Sequence, residues 1–97
     1  MEFSDKKAGE VLALGFDLAR LLAGGETITG ATFSASVLRG SDATPGAMLA
    51  GGATIAGSVV KQHVQGGVPG VYYQVAVTAT TSAGNTFIER GTLEVTA

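Results

Sequence analysis

Residues 70–95 constrain the fold most, because they alternate in two runs separated by one short turn. Tyr73, Val75, Val77 and Ala79 occupy every second position, with Gln74, Thr78 and Thr80 between them. A period of two, built from aromatic and β-branched residues, is that of a β-strand with one buried face. Ser82-Ala83-Gly84-Asn85 carries turn chemistry. Residues 86–95 alternate again and close on Leu93-Glu94-Val95. The two runs read as a β-hairpin, the last of a small β-sandwich. Gly91 reads as a bulge in the second strand, which uncouples the phase of Phe87 from that of Leu93.

The rest of the chain supplies further short strands, with turn signals spaced roughly 8 to 15 residues apart. Residues 1–7 are polar and read as a flexible N-terminal arm, and residues 8–97 as a single domain. A first strand is expected over about residues 10–16, followed by one short helical turn near residues 18–23. Asp17 is placed to cap that turn by accepting from backbone N–H groups two or three residues on, and Gly24-Gly25 ends it. Residues 26–38 form the next strand, with Ala31, Phe33, Ala35 and Val37 on one face and Thr32, Ser34 and Ser36 on the other. Ile28 is out of phase with that set, and a bulge at Gly30 restores it. Residues 40–52 read as loop, within which Met48-Leu49 returns briefly to the core. Residues 53–65 read as one bent or two short strands broken at Gly57, with Ile55, Val59, Val60 and Val64 contributing to the core. Six or seven strands without a repeat give an all-β sandwich or barrel.

Composition removes most chemistry. The 97 residues contain no Cys and one His, so neither a thiolate metal site nor a disulfide can form. A domain of this size buries roughly 65% of its unfolded surface and has little room for a deep cleft. The six basic and eight acidic residues are dispersed, without the basic patch and stacking aromatics of a nucleic-acid binder. No apolar run is long enough to span a membrane, and no signal-peptide core follows the charged N-terminus. Ser58-Val59-Val60-Lys61 matches the pattern of serine acyl enzymes, but on a strand positions three apart face opposite sides, so the match is read as chance. His63 reads as a solvent-facing strand residue with no nucleophile and carboxylate beside it. Asp17, Glu26 and Asp42 are too loosely spaced for a Ca²⁺ loop and read as capping and turn residues. No catalytic residue, cofactor or metal is expected.

What remains is a contact surface. Charged residues make up 14% of the chain, against about 25% in an average soluble domain, which fits a surface partly covered by neighbours. Tyr72 and Tyr73 point to opposite faces of their strand, so one belongs to the core and the other is exposed or at an interface. The candidate interface residues are Tyr72, Gln74 and Arg90.

The order of these elements resembles a known group. Val11 through Phe16-Asp17, then Leu21-Leu22-Ala23-Gly24-Gly25-Glu26-Thr27-Ile28, resembles the opening of small immunoglobulin-like virion proteins of tailed bacteriophages and prophages. Gly66-Gly67, Gly70, Tyr73, Val75, Thr80-Thr81-Ser82-Ala83-Gly84, Ile88-Glu89-Arg90 and Leu93-Glu94-Val95 are similar to their C-terminal half. The chain departs from the group at Leu21-Leu22, where a Trp is common, and at Gly91, near which an aromatic is common. The resemblance implies an immunoglobulin-like β-sandwich of about seven antiparallel strands. It also implies a non-enzymatic virion structural protein, such as a fibre–tail adaptor or another tail, neck or capsid component. Such a protein is made in the bacterial host cytoplasm, docks onto other virion proteins and sits in a symmetric multi-copy array. The alternative class is a bacterial surface immunoglobulin-like module for adhesion or carbohydrate binding.

Overall fold

The computed structural model describes residues 2–97. Seven strands run in the order β1 (Lys6–Lys7), β2 (Leu12–Asp17), β3 (Ile28–Arg39), β4 (Leu49–Ala56), β5 (Val59–Val64), β6 (Tyr72–Thr81) and β7 (Thr86–Thr96). They form a four-stranded sheet of order β1-β7-β6-β3 and a three-stranded sheet of order β2-β5-β4. The core lies between the sheets, as the alternation requires. Tyr73, Val75, Val77 and Ala79 of β6 are completely buried, and Leu93 and Val95 of β7 join them.

The β6–β7 hairpin pairs Tyr73 with Leu93, Val75 with Gly91, Val77 with Glu89 and Ala79 with Phe87 in one unbroken register. Gly91 is therefore not a bulge, and Phe87 and Leu93 share a face. A Cβ on Gly91 would stand 2.5 Å from Cε2 of Phe3, so the glycine makes room for an aromatic ring. That ring belongs to the segment expected as a flexible arm. Met1 lies outside the described residues, but residues 2–7 run along the edge of the four-stranded sheet. Glu2 bridges to Thr92, the Phe3 N–H donates to the Thr92 carbonyl at 2.9 Å, and β1 pairs with β7 in parallel. The expected all-antiparallel sandwich is corrected by this one parallel pair. Phe3 stacks edge-on to Phe16 with ring centroids 5.4 Å apart, and Phe16 lies 5.9 Å from Phe33, so three rings tie the N-terminus to both sheets.

The turn after β2 is a single 3₁₀ turn, Ala19–Leu21, inside the expected span. Asp17 Oδ1 accepts from the Ala19 N–H at 3.0 Å, two residues on as expected, but the cap position is Leu18, which has no side-chain cap, so Asp17 stands one residue ahead of it. Leu18, rather than the Leu21-Leu22 pair, is the buried anchor here. In β3 the register shifts between Ile28 and Gly30, which brings Ile28 into the core and places the bulge where the phase demanded one. Two expectations fail in the middle of the chain. β4 begins at Leu49, so residues 49–52 are strand rather than loop, irregular because the register with β5 shifts between Ala50 and Thr54. Ile55 pairs with Val60 but sits on an edge strand and stays 41% exposed, so it is not a core residue.

Candidate functional site

The outer side of the four-stranded sheet is where the candidate residues meet. Tyr72 and Gln74 leave β6 on that side because both are one position off the buried row. Arg90 leaves β7 on the same side, since it pairs with Ala76, two residues beyond Gln74. A shallow depression of about 300 Å³ is lined by Leu38, Gln74, Arg90, Thr92 and the backbone of Gly91. Two of the three candidates thus line one hollow, and Tyr72 stands one step along β6 from it. Tyr72 pairs with Glu94 on one side and Arg39 on the other. The Glu94 charge, and then a hydrogen bond to it, push the Tyr72 phenol above its ordinary pKa, while Arg39 pulls it down.

The remainder of this face is small and hydroxylated: Thr32, Ser34, Ser36, Thr78 and Thr80 are exposed. Ile88 and Leu38 are its exposed apolar side chains, at 50% and 52%. Such a surface offers area, hydroxyls, the two guanidinium groups of Arg39 and Arg90, and the Glu94 carboxylate beside Tyr72. Its hydroxylated part can be covered at small desolvation cost, since little charge has to be stripped of water there.

The inner partner, Tyr73, does a different job. Its hydroxyl accepts from the Val68 N–H at 2.8 Å and donates to Asp42 Oδ2 at 2.7 Å. That pair ties the loop before β6 to the loop after β3. The Tyr73 hydrogen bond, with the Thr44 N–H beside it, holds the Asp42 carboxyl below its usual range. Burial, and then Asp42, raise the Tyr73 phenol. A second hollow of about 410 Å³ lies against these loops, with Asp42, Met48, Gln65 and Val68 among its lining. Its one carboxylate is already committed to Tyr73 and Thr44.

The three acidic turn residues are not brought together. Asp17 accepts from Ala19 and from the Ser58 hydroxyl, each at 3.0 Å. Glu26 accepts from the Ala23 N–H, the Thr81 hydroxyl and the Asn85 amide, clamping the β6–β7 turn to the start of β3. The Thr81 hydrogen bond is the largest reason its carboxyl lies below the usual range. His63 is exposed, as the strand parity requires, and Val64 beside it is buried.

Lys6 escaped the sequence reading altogether. It is completely buried, and its Nζ donates to the carbonyls of Lys7, Ala8 and Gly66 at 2.9, 3.4 and 2.7 Å. Burial lowers its pKa, and the Glu10 charge opposes that. Its partners are backbone carbonyls, one of them 60 residues away. No local sequence pattern announces such a contact. Among the described residues no helix is long and apolar enough to cross a membrane.

Comparison with known proteins adds one match. Residues 6–94 fit the family model described as podophage GP4 fiber-tail adaptor protein gp77. No curated protein matches the chain.

Proposed function

The chain belongs to the podophage GP4 fiber-tail adaptor protein gp77 family, and from that premise we propose that it works in the virion as a non-enzymatic connector. It docks onto tail, neck or capsid proteins through the outer face of its four-stranded sheet. The match across residues 6–94 carries this reading. The face itself supports it: Tyr72, Gln74 and Arg90 stand on one side of the sheet, amid exposed hydroxyl side chains. Tyr and Arg are the residue types that most often anchor interfaces.

The sandwich is read as immunoglobulin type. With the strands lettered A to G in chain order, the sheets are A-G-F-C and B-E-D, which keeps the C-F-G and B-E-D groupings of that fold. Tyr73, at the start of the sixth strand with its hydroxyl bound to the Val68 N–H five residues upstream, supports the same reading, since a tyrosine corner is built this way. Val75 stands two residues further on, at the place of the second cysteine of disulfide-linked domains.

The test is virion incorporation. Tyr72→Ala and Arg90→Ala, in the full chain, are expected to fold normally and to weaken binding to purified tails by about tenfold or more, the effect of truncating a central anchor. A protein absent from purified particles overturns the connector reading. Saturable binding in a glycan screen favours the surface-module alternative instead.

A further inference from the structure

The four-stranded sheet has one edge whose middle stretch is left unguarded, between two register shifts. Soluble proteins protect sheet edges with charges, prolines, bulges or short strands, because unpaired N–H and C=O groups otherwise recruit another strand. The other edges carry such devices. β2 is six residues long and ends in Asp17. β4 is interrupted by its register shift at residues 50–54. The open half of β7 bears Glu89 and Arg90, and its other half is covered by β1. β3 is the longest strand at twelve residues, and residues 28–38 contain neither a charge nor a proline. Among the described residues it forms a ladder with β6 alone; β4 of the other sheet and the 3₁₀ turn Pro45–Met48 lie against it without joining that ladder. Between its two register shifts, residues 30–37 keep a regular pleat.

We infer that the β3 edge pairs antiparallel with the β3 edge of a second copy, in a two-fold register centred on Ser34. This deepens the connector reading and rests on it for its setting in the virion. The strand is complementary to itself in that register. On the outer face Ser34 meets Ser34 of the second copy, and Thr32 meets Ser36, so hydroxyls oppose hydroxyls. On the inner face Phe33 meets Ala35 and Val37 meets Ala31, a large side chain against a small one each time. No charge opposes a like charge anywhere in the paired segment. The inner row is also unfinished in one copy: Ala31, Ala35 and Val37 are half-buried, while their neighbours on β6 are fully buried. A second β3 covers that row and gives the strand's lateral backbone groups their partners. The product is one continuous eight-stranded sheet with the Tyr72 faces of both copies displayed on one side.

Light scattering on the full chain over a concentration series tests this. The expected mass is twice the 9.7 kDa of one chain. Ser34→Lys and Ser34→Glu each place like charges directly opposite at the centre of the pair, on an exposed position that does not disturb the core. Each variant alone is expected to weaken dimerisation at least tenfold, and an equimolar mixture of the two to restore it. Thr78→Lys, on the same face but on a central strand, is expected to leave the dimer intact. A wild-type chain that stays monomeric at every concentration overturns the inference. So does a dimer indifferent to the Ser34 charges, or a mixture that fails to re-form. Virion incorporation is scored separately: a monomer that still enters particles removes the dimer and leaves the connector reading standing, whereas a Ser34-sensitive dimer absent from particles does the reverse.

Discussion

β6 and β3 lie side by side, pair over nearly their whole length, and carry the same alternation of apolar and polar residues. Yet Tyr73, Val75, Val77 and Ala79 of β6 have no exposed surface, while Ala31, Ala35 and Val37 of β3 are only half-buried. The difference is position in the sheet. β6 has a strand on each side and the other sheet beneath it, whereas β3 lacks a neighbour on one side. An identical local pattern therefore has different energetic weight at the centre and at the edge. The centre specifies the fold, and the edge is left free for something else.

Valine truncation can break this comparison directly, because the same two methyl groups are removed in each strand. Val77→Ala, at a fully buried site, is expected to cost about 2 kcal/mol or more, the transfer of two methyls plus a cavity that close packing cannot collapse. Val37→Ala is expected to cost about 1 kcal/mol or less, since solvent already reaches that site. Urea midpoints of the two variants measure the gap. Equal losses, measured below the concentration at which two copies associate, mean that the central and edge rows do not differ.

Tyr73 sharpens the comparison, because it places a hydroxyl within the fully buried row. Tyr73→Phe keeps the ring and leaves the Val68 N–H and Asp42 without their partner, for an expected loss of about 1.5 kcal/mol near neutral pH. The loss has a pH signature. The Asp42 carboxyl is held below its ordinary value of 3.8 chiefly by the Tyr73 hydrogen bond. A depressed folded-state pKa contributes stability that is fully present above 3.8 and disappears as the pH falls through the folded value. The wild-type chain is therefore expected to lose its advantage over Tyr73→Phe below that point, and parallel stability curves down to acid pH contradict the assignment.

The same contrast explains what could be read before the structure was known. The hairpin was legible because β-branched alternation, turn residues and a second alternation agree over one continuous stretch. The shared face of Tyr72, Gln74 and Arg90 was legible only in part, since parity joins Tyr72 to Gln74 but Arg90 needs the pairing with Ala76. Features held by remote contacts were not legible. A glycine in a strand serves equally for a bulge or for close approach, and only the Phe3 ring decides between them at Gly91. Residues 2–7 look solvated because all of their side chains but that of Phe3 are polar, although Lys6 hides a four-carbon stem and satisfies its ammonium on carbonyls. Ile55 has the right residue type and the right parity but stands on an edge.

The smallest expected effect falls at the start of the open edge. Gly30 lies at the register shift of β3, and a Cβ there meets only the Thr80 hydroxyl, at 3.0 Å. Thr80 is exposed and its side chain can turn away, giving up its contact with the Thr29 hydroxyl. The backbone at Gly30 is not in the left-handed region, so alanine adds no torsional strain. Replacing glycine also removes conformational freedom from the unfolded chain, worth about 0.4–1 kcal/mol in the stabilising direction. The two terms nearly cancel, and Gly30→Ala is expected to shift stability by less than about 0.5 kcal/mol in the same urea titration. A loss well above 1 kcal/mol shows instead that the bulge itself demands glycine, and then the β3 edge is shaped as strictly as the buried row beside it.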